Sequence, residues 1–209
     1  MARNLNPKCK QCRREGTKLF IKGDRCYSPK CAMVKRNFPP GVHGVKGYGR
    51  LTGYGQQIRE KQKVKRIYQI LETQMKNYFL KASQTRGNTE ESLLQLLEMR
   101  FDNIVYRIGL TKSRNLARQL ITHNHFLINN KKVNIPSYQL KIGDIVKIKE
   151  KSKKIKLFGN LKEQFKNKEQ LSWLFIDPDK IEIKVTGKPT LEENKGEFDL
   201  KLIIEFYSK

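Results

Sequence analysis

The chain has 209 residues, enough for one or two domains, and its 37% hydrophobic content suffices for at least part of it to fold around a core. Forty-four Lys and Arg against 20 Asp and Glu leave a formal charge of +24, more than solubility requires, which points to a polyanionic partner. The first residues lack the apolar core of a signal peptide, no apolar run nears the ~20 residues that span a bilayer, and no amphipathic helix or lipidation signal is evident, so neither secretion nor a membrane partner is expected.

Residues 1–66 carry 18 basic and 3 acidic side chains, so the N-terminal third holds most of the excess charge. Residues 1–38 also hold all four cysteines and little apolar periodicity, so a metal is expected to organise them. The pattern Cys9-x2-Cys12, thirteen residues, then Cys26-x4-Cys31 sets two short-spaced pairs around a loop, the arrangement that presents four thiolates tetrahedrally. One structural zinc on Cys9, Cys12, Cys26 and Cys31 is the expectation, with Lys10, Arg13, Arg14, Arg25 and Lys30 favouring the thiolates. An iron–sulfur cluster also accepts four cysteines, and free or disulfide-linked cysteines are the plainer alternative. Phe38-Pro39-Pro40-Gly41 and the glycines from Gly44 to Gly55, interleaved with Tyr48, Arg50 and Tyr54, read as an extended arm.

From Gln56 to Ala82 there is no Gly or Pro, and Ile58, Ile67, Leu71, Met75 and Tyr78 or Phe79 recur at near-helical spacing, which predicts one long helix. Arg59, Lys61, Lys63, Lys65 and Arg66 make its first half a phosphate-facing candidate. A second helix begins near Asn88 or Thr89 and buries Leu93, Leu97, Phe101, Ile104 and Ile108 before Gly109 stops it. A third begins after Thr111 or Ser113 with Leu116, Leu120 and Ile121 inward and Arg114 and Arg118 together on the opposite, outward face. Phe126-Leu127-Ile128, Asn129-Asn130 and Val133 to Ile135 predict a hairpin, and Ile145 to Lys149 a further strand. Asn160 and Glu163 mark a short helix carrying Leu161 and Phe165; Trp173 reads as packing, and Ile181–Val185 and Leu200–Ile204 read as strands. The fold class is therefore α+β, with two helices on a small antiparallel sheet in the middle of the chain.

The cysteine spacing, Phe38-Pro39-Pro40-Gly41-x-His43-Gly44, Tyr54-Gly55 with Arg59-Glu60-Lys61-Gln62-Lys63, and the terminal Glu205-Phe206-Tyr207-Ser208-Lys209 resemble the bacterial-type small-subunit ribosomal protein S-four family, in its zinc-binding variety. Arg100-x-Asp102-Asn103-x-Val105-Tyr106-Arg107, Ser113-Arg114, Ala117-Arg118-Gln119 and Gly143-Asp144 resemble that family's small RNA-binding module. Three positions depart from the pattern: Asn124 and Asn130 stand where relatives carry Gly, and Leu191 follows Thr190 where an Arg is common. The resemblance implies three parts: a zinc-binding basic segment over 1–45, a helical or mixed domain from 46–90 with 160–209, and the module over 98–160. It implies a cytoplasmic, ribosome-bound structural protein, a primary binder of small-subunit ribosomal RNA that nucleates assembly. Neighbouring ribosomal proteins, messenger RNA near the channel through which it enters, and a part in translational accuracy follow from the same resemblance.

Charge and resemblance together mark the residues expected to face RNA. In the N-terminal third they are Arg3, Arg13, Arg14, Lys35, Arg36, His43, Arg50, Tyr54, Arg59, Lys61, Lys63 and Arg66; in the module they are Arg107, Lys112, Ser113, Arg114, Arg118, His123 and His125. Related modules are appended to pseudouridine synthases, so an RNA-modifying enzyme is an alternative. Against it, the chain has no Gly-rich nucleotide loop, nucleophile elbow or HExxH, and no small-molecule substrate is implied. A zinc-ribbon regulator is the other alternative, and it lacks a helix-turn-helix or zipper pattern to enter a DNA groove.

Overall fold

The computed structural model describes residues 4–155, 158–159, 165, 171–178, 181–194 and 198–208. Arg3 and Leu161 of the expected short helix lie outside the described residues, while its Phe165 is described and buried. The chain divides into two compact units: unit 1 comprises residues 1–93 and 194–209, and unit 2 comprises 94–193. These limits differ from the expected module boundary at 160, because the sheet of unit 2 recruits strands from beyond it.

In unit 1, three short helices, α1 (Lys8–Glu15), α2 (Asp24–Tyr27) and α3 (Ala32–Lys35), carry the cysteine segment. A 3-10 turn (Val42–Lys46) follows in the glycine-rich arm. The helix α4 (Gly53–Tyr68) starts inside that arm, where the Thr52 hydroxyl accepts from Gly55 N at 3.1 Å and caps it. The expected single helix is two, α4 and α5 (Glu72–Gln84). Gln69 takes a left-handed φ of 56° and Ile70 N bonds back to Lys65 O at 3.0 Å, a Schellman-type closure that needs no glycine. The turn leaves Ile67, Tyr68 and Ile70 buried.

The expected terminal strand is also a helix, α10 (Leu200–Tyr207). Asp199 caps it by accepting from Lys201 N at 2.9 Å, and the buried Leu200 and Ile203 lie one helical turn apart. Aromatic pairs tie α10 to α4 and α5: Tyr54 with Phe206 at 5.8 Å between centroids and Phe79 with Tyr207 at 5.0 Å. The Lys61 ammonium lies 4.1 Å from the centroid of Phe206.

The helix α6 (Thr89–Glu98) begins with Asn88 accepting from Glu90 N at 2.9 Å. A break at Met99-Arg100 separates it from α7 (Phe101–Arg107), so the expected second helix is also two. Arg100 is extended and bridges to Gln139, which turns the chain while the inward row of apolar residues stays buried. Ser113 caps α8 (Arg114–Thr122) by accepting from Leu116 N at 3.3 Å, as the sequence predicts.

The hairpin of β1 (Phe126–Ile128) and β2 (Lys131–Lys132) turns on Asn129 and Asn130, both at positive φ, but the expected strand from Val133 to Ile135 is not one. After β3 (Ile145–Ile148) and α9 (Glu150–Lys153) come β4 (Leu174–Asp177) and β5 (Glu182–Val185). The five strands form one antiparallel sheet in the order β2-β1-β3-β5-β4. One face, including Phe126, Ile128, Val146, Ile148, Ile183 and Val185, joins Phe101, Ile104, Ala117 and Ile121 of α7 and α8 in a single core. Trp173 belongs to that core.

Candidate nucleic-acid interface

Cys9 and Cys12 on α1, Cys26 on α2 and Cys31 at the start of α3 line one pocket of unit 1 with Ile21, Lys22, Arg25 and Met33. Cys12, Cys26 and Cys31 are buried and none of the four forms a disulfide. Lys22 N donates to Cys26 Sγ at 3.4 Å. Burial pushes the Cys12 and Cys26 thiols above their ordinary pKa; neighbouring cysteines act the same way, against backbone bonds at Leu19 and Lys22. Four thiols around one pocket are a donor set that suits zinc. Among the described residues, however, no group of three or more Cys, His, Asp or Glu is arranged to hold a metal ion, so the expected zinc-bound arm reduces here to four free cysteines around a pocket.

The bases of unit 1 sort into two groups. Arg13 lies over Phe38 at 4.7 Å and donates to Phe38 O and Pro39 O at 2.9 and 3.1 Å, while Tyr48 donates to Arg13 O at 2.6 Å, so this guanidinium pins the arm to α1. On α4, Arg59 and Arg66 both pair with the carboxylate of Glu15, whose side chain is 1% exposed. Lys61 and Lys65 pair with Glu72 at 2.9 and 2.6 Å, and Lys63 with Glu60 at 3.4 Å. The expected phosphate-facing half of this helix is thus largely neutralised inside unit 1. By contrast Lys35, Arg36, Lys46 and Arg50 are exposed and engage no carboxylate among the described residues. Arg14, His43 and Tyr54 are exposed as well.

In unit 2 the expected outward pair is a correction. Arg114 and Arg118 are 7% and 4% exposed, because α8 turns this face onto α7. Arg118 donates to Asp102 at 2.6 Å, and Asp102 also holds Arg100 through bonds of 3.0 and 2.7 Å. Arg114 donates to Asn103 Oδ1 at 2.9 Å and lies 4.4 Å from the Tyr106 centroid. Arg107 grips Glu98 through two bonds of 3.0 and 2.9 Å, and Asn103 donates to the same carboxylate at 2.8 Å. Glu98, Asp102 and Asn103 are the partners sequence reasoning missed; the two acids close beside a run of arginines were the available signal. Lys112 and His123 remain exposed, Ser113 serves as a helix cap, and His125 Nδ1 lies 2.9 Å from Ser152 Oγ. Burial lowers the His125 pKa, and His123 and Lys149 lower it further.

Two family models divide the chain: the ribosomal protein S4/S9 N-terminal domain matches residues 3–98 and the S4 domain matches 99–146. The small ribosomal subunit protein uS4 of Clostridioides difficile (strain 630) is 52% identical over 209 residues, covering all of both chains. The chain belongs to the uS4 family. The proteins named uS4A in Alkaliphilus metalliredigens (strain QYMF) and uS4 in Geobacter sulfurreducens (strain ATCC 51573 / DSM 12127 / PCA) are 50% and 48% identical, again over the full length of both chains. As a uS4 family member the chain is structural and not an enzyme. The uS4 N-terminal match holds the cysteines and α1 to α6, whereas the S4 domain match ends within β3. Strands β4 and β5 complete its sheet from sequence outside that match.

Proposed function

We propose that this protein is a constituent of the small ribosomal subunit that binds small-subunit ribosomal RNA in the cytoplasm through phosphate contacts spread over both units, beside neighbouring ribosomal proteins. Full-length identity of 52% to a protein named for that subunit is the observation that carries the reading. The charge of +24 supplies the physical driving force, since each neutralised phosphate releases condensed counterion. In unit 1 the contacts fall on Lys35, Arg36, His43, Arg50 and Arg14, which are exposed, more than on the paired bases of α4. In unit 2, Lys112 and His123 meet RNA while Arg107, Arg114 and Arg118 hold the surface that presents them. By resemblance, the protein also lies near messenger RNA where it enters and contributes to decoding accuracy.

Cys9, Cys12, Cys26 and Cys31 hold one zinc, whose binding contributes on the order of 10 kcal/mol to a segment with little core of its own. Lys22, Arg25 and Lys8 line the same pocket and offset the negative charge of four thiolates. Metal analysis of reduced protein should give one equivalent of zinc; less than half an equivalent, or an iron–sulfur absorption band, overturns the assignment.

The RNA reading is tested by binding to a ribosomal RNA junction across a salt series. Alanine at Lys35, Arg36 and Arg50 together should make the slope of log affinity against log salt shallower by about 0.7 to 0.9 for each phosphate no longer neutralised. Alanine at Lys63, which is paired with Glu60, should leave the slope within error. An unchanged slope in the triple variant would assign the arm to another partner.

A further inference from the structure

The outer face of the sheet in unit 2 takes no part in the RNA binding proposed for the arm and for Lys112. Its inner face fills the core, so helices α7 and α8 pack on one side alone. Along the other side the strand pairing sets Phe175 of β4 beside Lys184 of β5, and Lys184 beside Ile145 of β3. A second row runs Asp177, Glu182, Lys147, Leu127 and Lys132 across all five strands. Phe175 is 54% exposed, which is unusual for an aromatic side chain in a paired strand.

Cross-strand neighbours stand roughly 5 Å apart at Cβ, so the lysine beside Phe175 reaches whatever lies on its ring. Glu182 is taken by Lys147 at 2.9 Å, whereas Lys184 and Lys132 on this face are exposed and engage no carboxylate among the described residues. The bland reading is that the Lys184 stem merely shelters the ring, yet half of the ring's residue remains open to solvent. A protein partner would bury a lysine on three of the five strands, and lysine is depleted from the cores of such interfaces. An aromatic ring with the unpaired Lys184 ammonium directly beside it instead suits an unpaired base, which stacks on the ring while its phosphate meets that lysine. We infer that the outer sheet face around Phe175 and Lys184 binds single-stranded RNA, as a site separate from the contacts proposed for the arm and for Lys112.

The test uses full-length protein and a short oligouridylate carrying 4-thiouridine. Crosslinks should map to β4 or β5. Phe175→Ala should weaken oligouridylate binding about tenfold with an unchanged salt slope, and Phe175→Tyr should restore it. Lys184→Ala should make the slope shallower by about 0.7. Binding to the folded ribosomal RNA junction should stay the same in all three variants, which keeps this inference distinguishable from the proposed function. Oligouridylate binding within twofold of the parent in Phe175→Ala overturns the proposal. So does a crosslink from this face to another protein, but not to RNA, in assembled subunits.

Discussion

The guanidinium groups of Arg100 and Arg118 converge on the carboxylate of Asp102 at 2.7 and 2.6 Å, and the three side chains are between 0% and 5% exposed. A buried ion pair adds little net stability over an apolar replacement, but removing one partner strands the others without solvation. Asp102→Ala should therefore cost roughly 3 to 5 kcal/mol in urea unfolding, and Arg118→Ala should also destabilise; a loss below about 0.5 kcal/mol would mean that water already reaches the cluster. In unit 1, burial alone would raise the Glu72 pKa, but hydrogen bonds from Lys65, Lys61 and Tyr207 outweigh it and hold the carboxyl at about 2, down from an ordinary 4.5. A carboxylate depressed in the folded state stabilises fully above its unfolded pKa and loses that contribution as pH falls through the folded one. The stability gap between the parent and Glu72→Gln should thus be constant near neutrality and shrink between pH 4.5 and about 2 in acid unfolding. The carboxylate is 47% exposed, so solvent screening keeps the gap small.

At the level of elements, the hairpin between β1 and β2 was legible because Asn129-Asn130 tolerates the left-handed region that the turn needs, with φ of 49° and 64°. Asn130 should accept Gly with equal or better stability. Asn130→Val should lose about 1 kcal/mol or more in thermal unfolding, because a β-branched side chain is strained there; parity between the two would place the turn in another conformation. The helix starts at Asn88 and Ser113 were legible for a similar reason, since capping is local chemistry. The breaks at Gln69 and at Met99-Arg100 were not. Neither carries Gly or Pro, and the apolar spacing continues through both, so only tertiary packing selects them. The terminal Leu-Lys-Leu-Ile-Ile alternates like a strand, but its aromatic partners on α4 and α5 exist only in the fold. The same limit governed the candidate site. Positive charge was visible in the sequence, whereas its cancellation depends on the fold: Glu15 comes from a helix 44 to 51 residues away, and Glu72 meets Lys61 and Lys65 only because the chain breaks after α4.

Across the whole molecule, each unit has its own polar or aromatic clasp. Unit 1 is closed by α10, through Tyr207 to Glu72 at 2.7 Å, Gln57 to Glu205 at 2.8 Å and the ring of Phe198 against Tyr68 at 6.0 Å. Removing residues 198–209 should expose α4 and α5 to limited proteolysis while the fragment 94–193 stays protected; equal protection of both units would show that α10 is dispensable. The chain of unit 2 is continuous, but that of unit 1 is interrupted, with its first residues and its last on either side of all of unit 2. Synthesis runs from the amino end and domains ordinarily close in the order they emerge. Unit 1 breaks that order, because its covering helix α10 is synthesised after the whole of unit 2, so α4 and α5 stay uncovered until then. Until then the nascent chain presents its basic N-terminal segment ahead of a finished fold, so a ribosomal RNA that captures the segment early acts on a half-built protein.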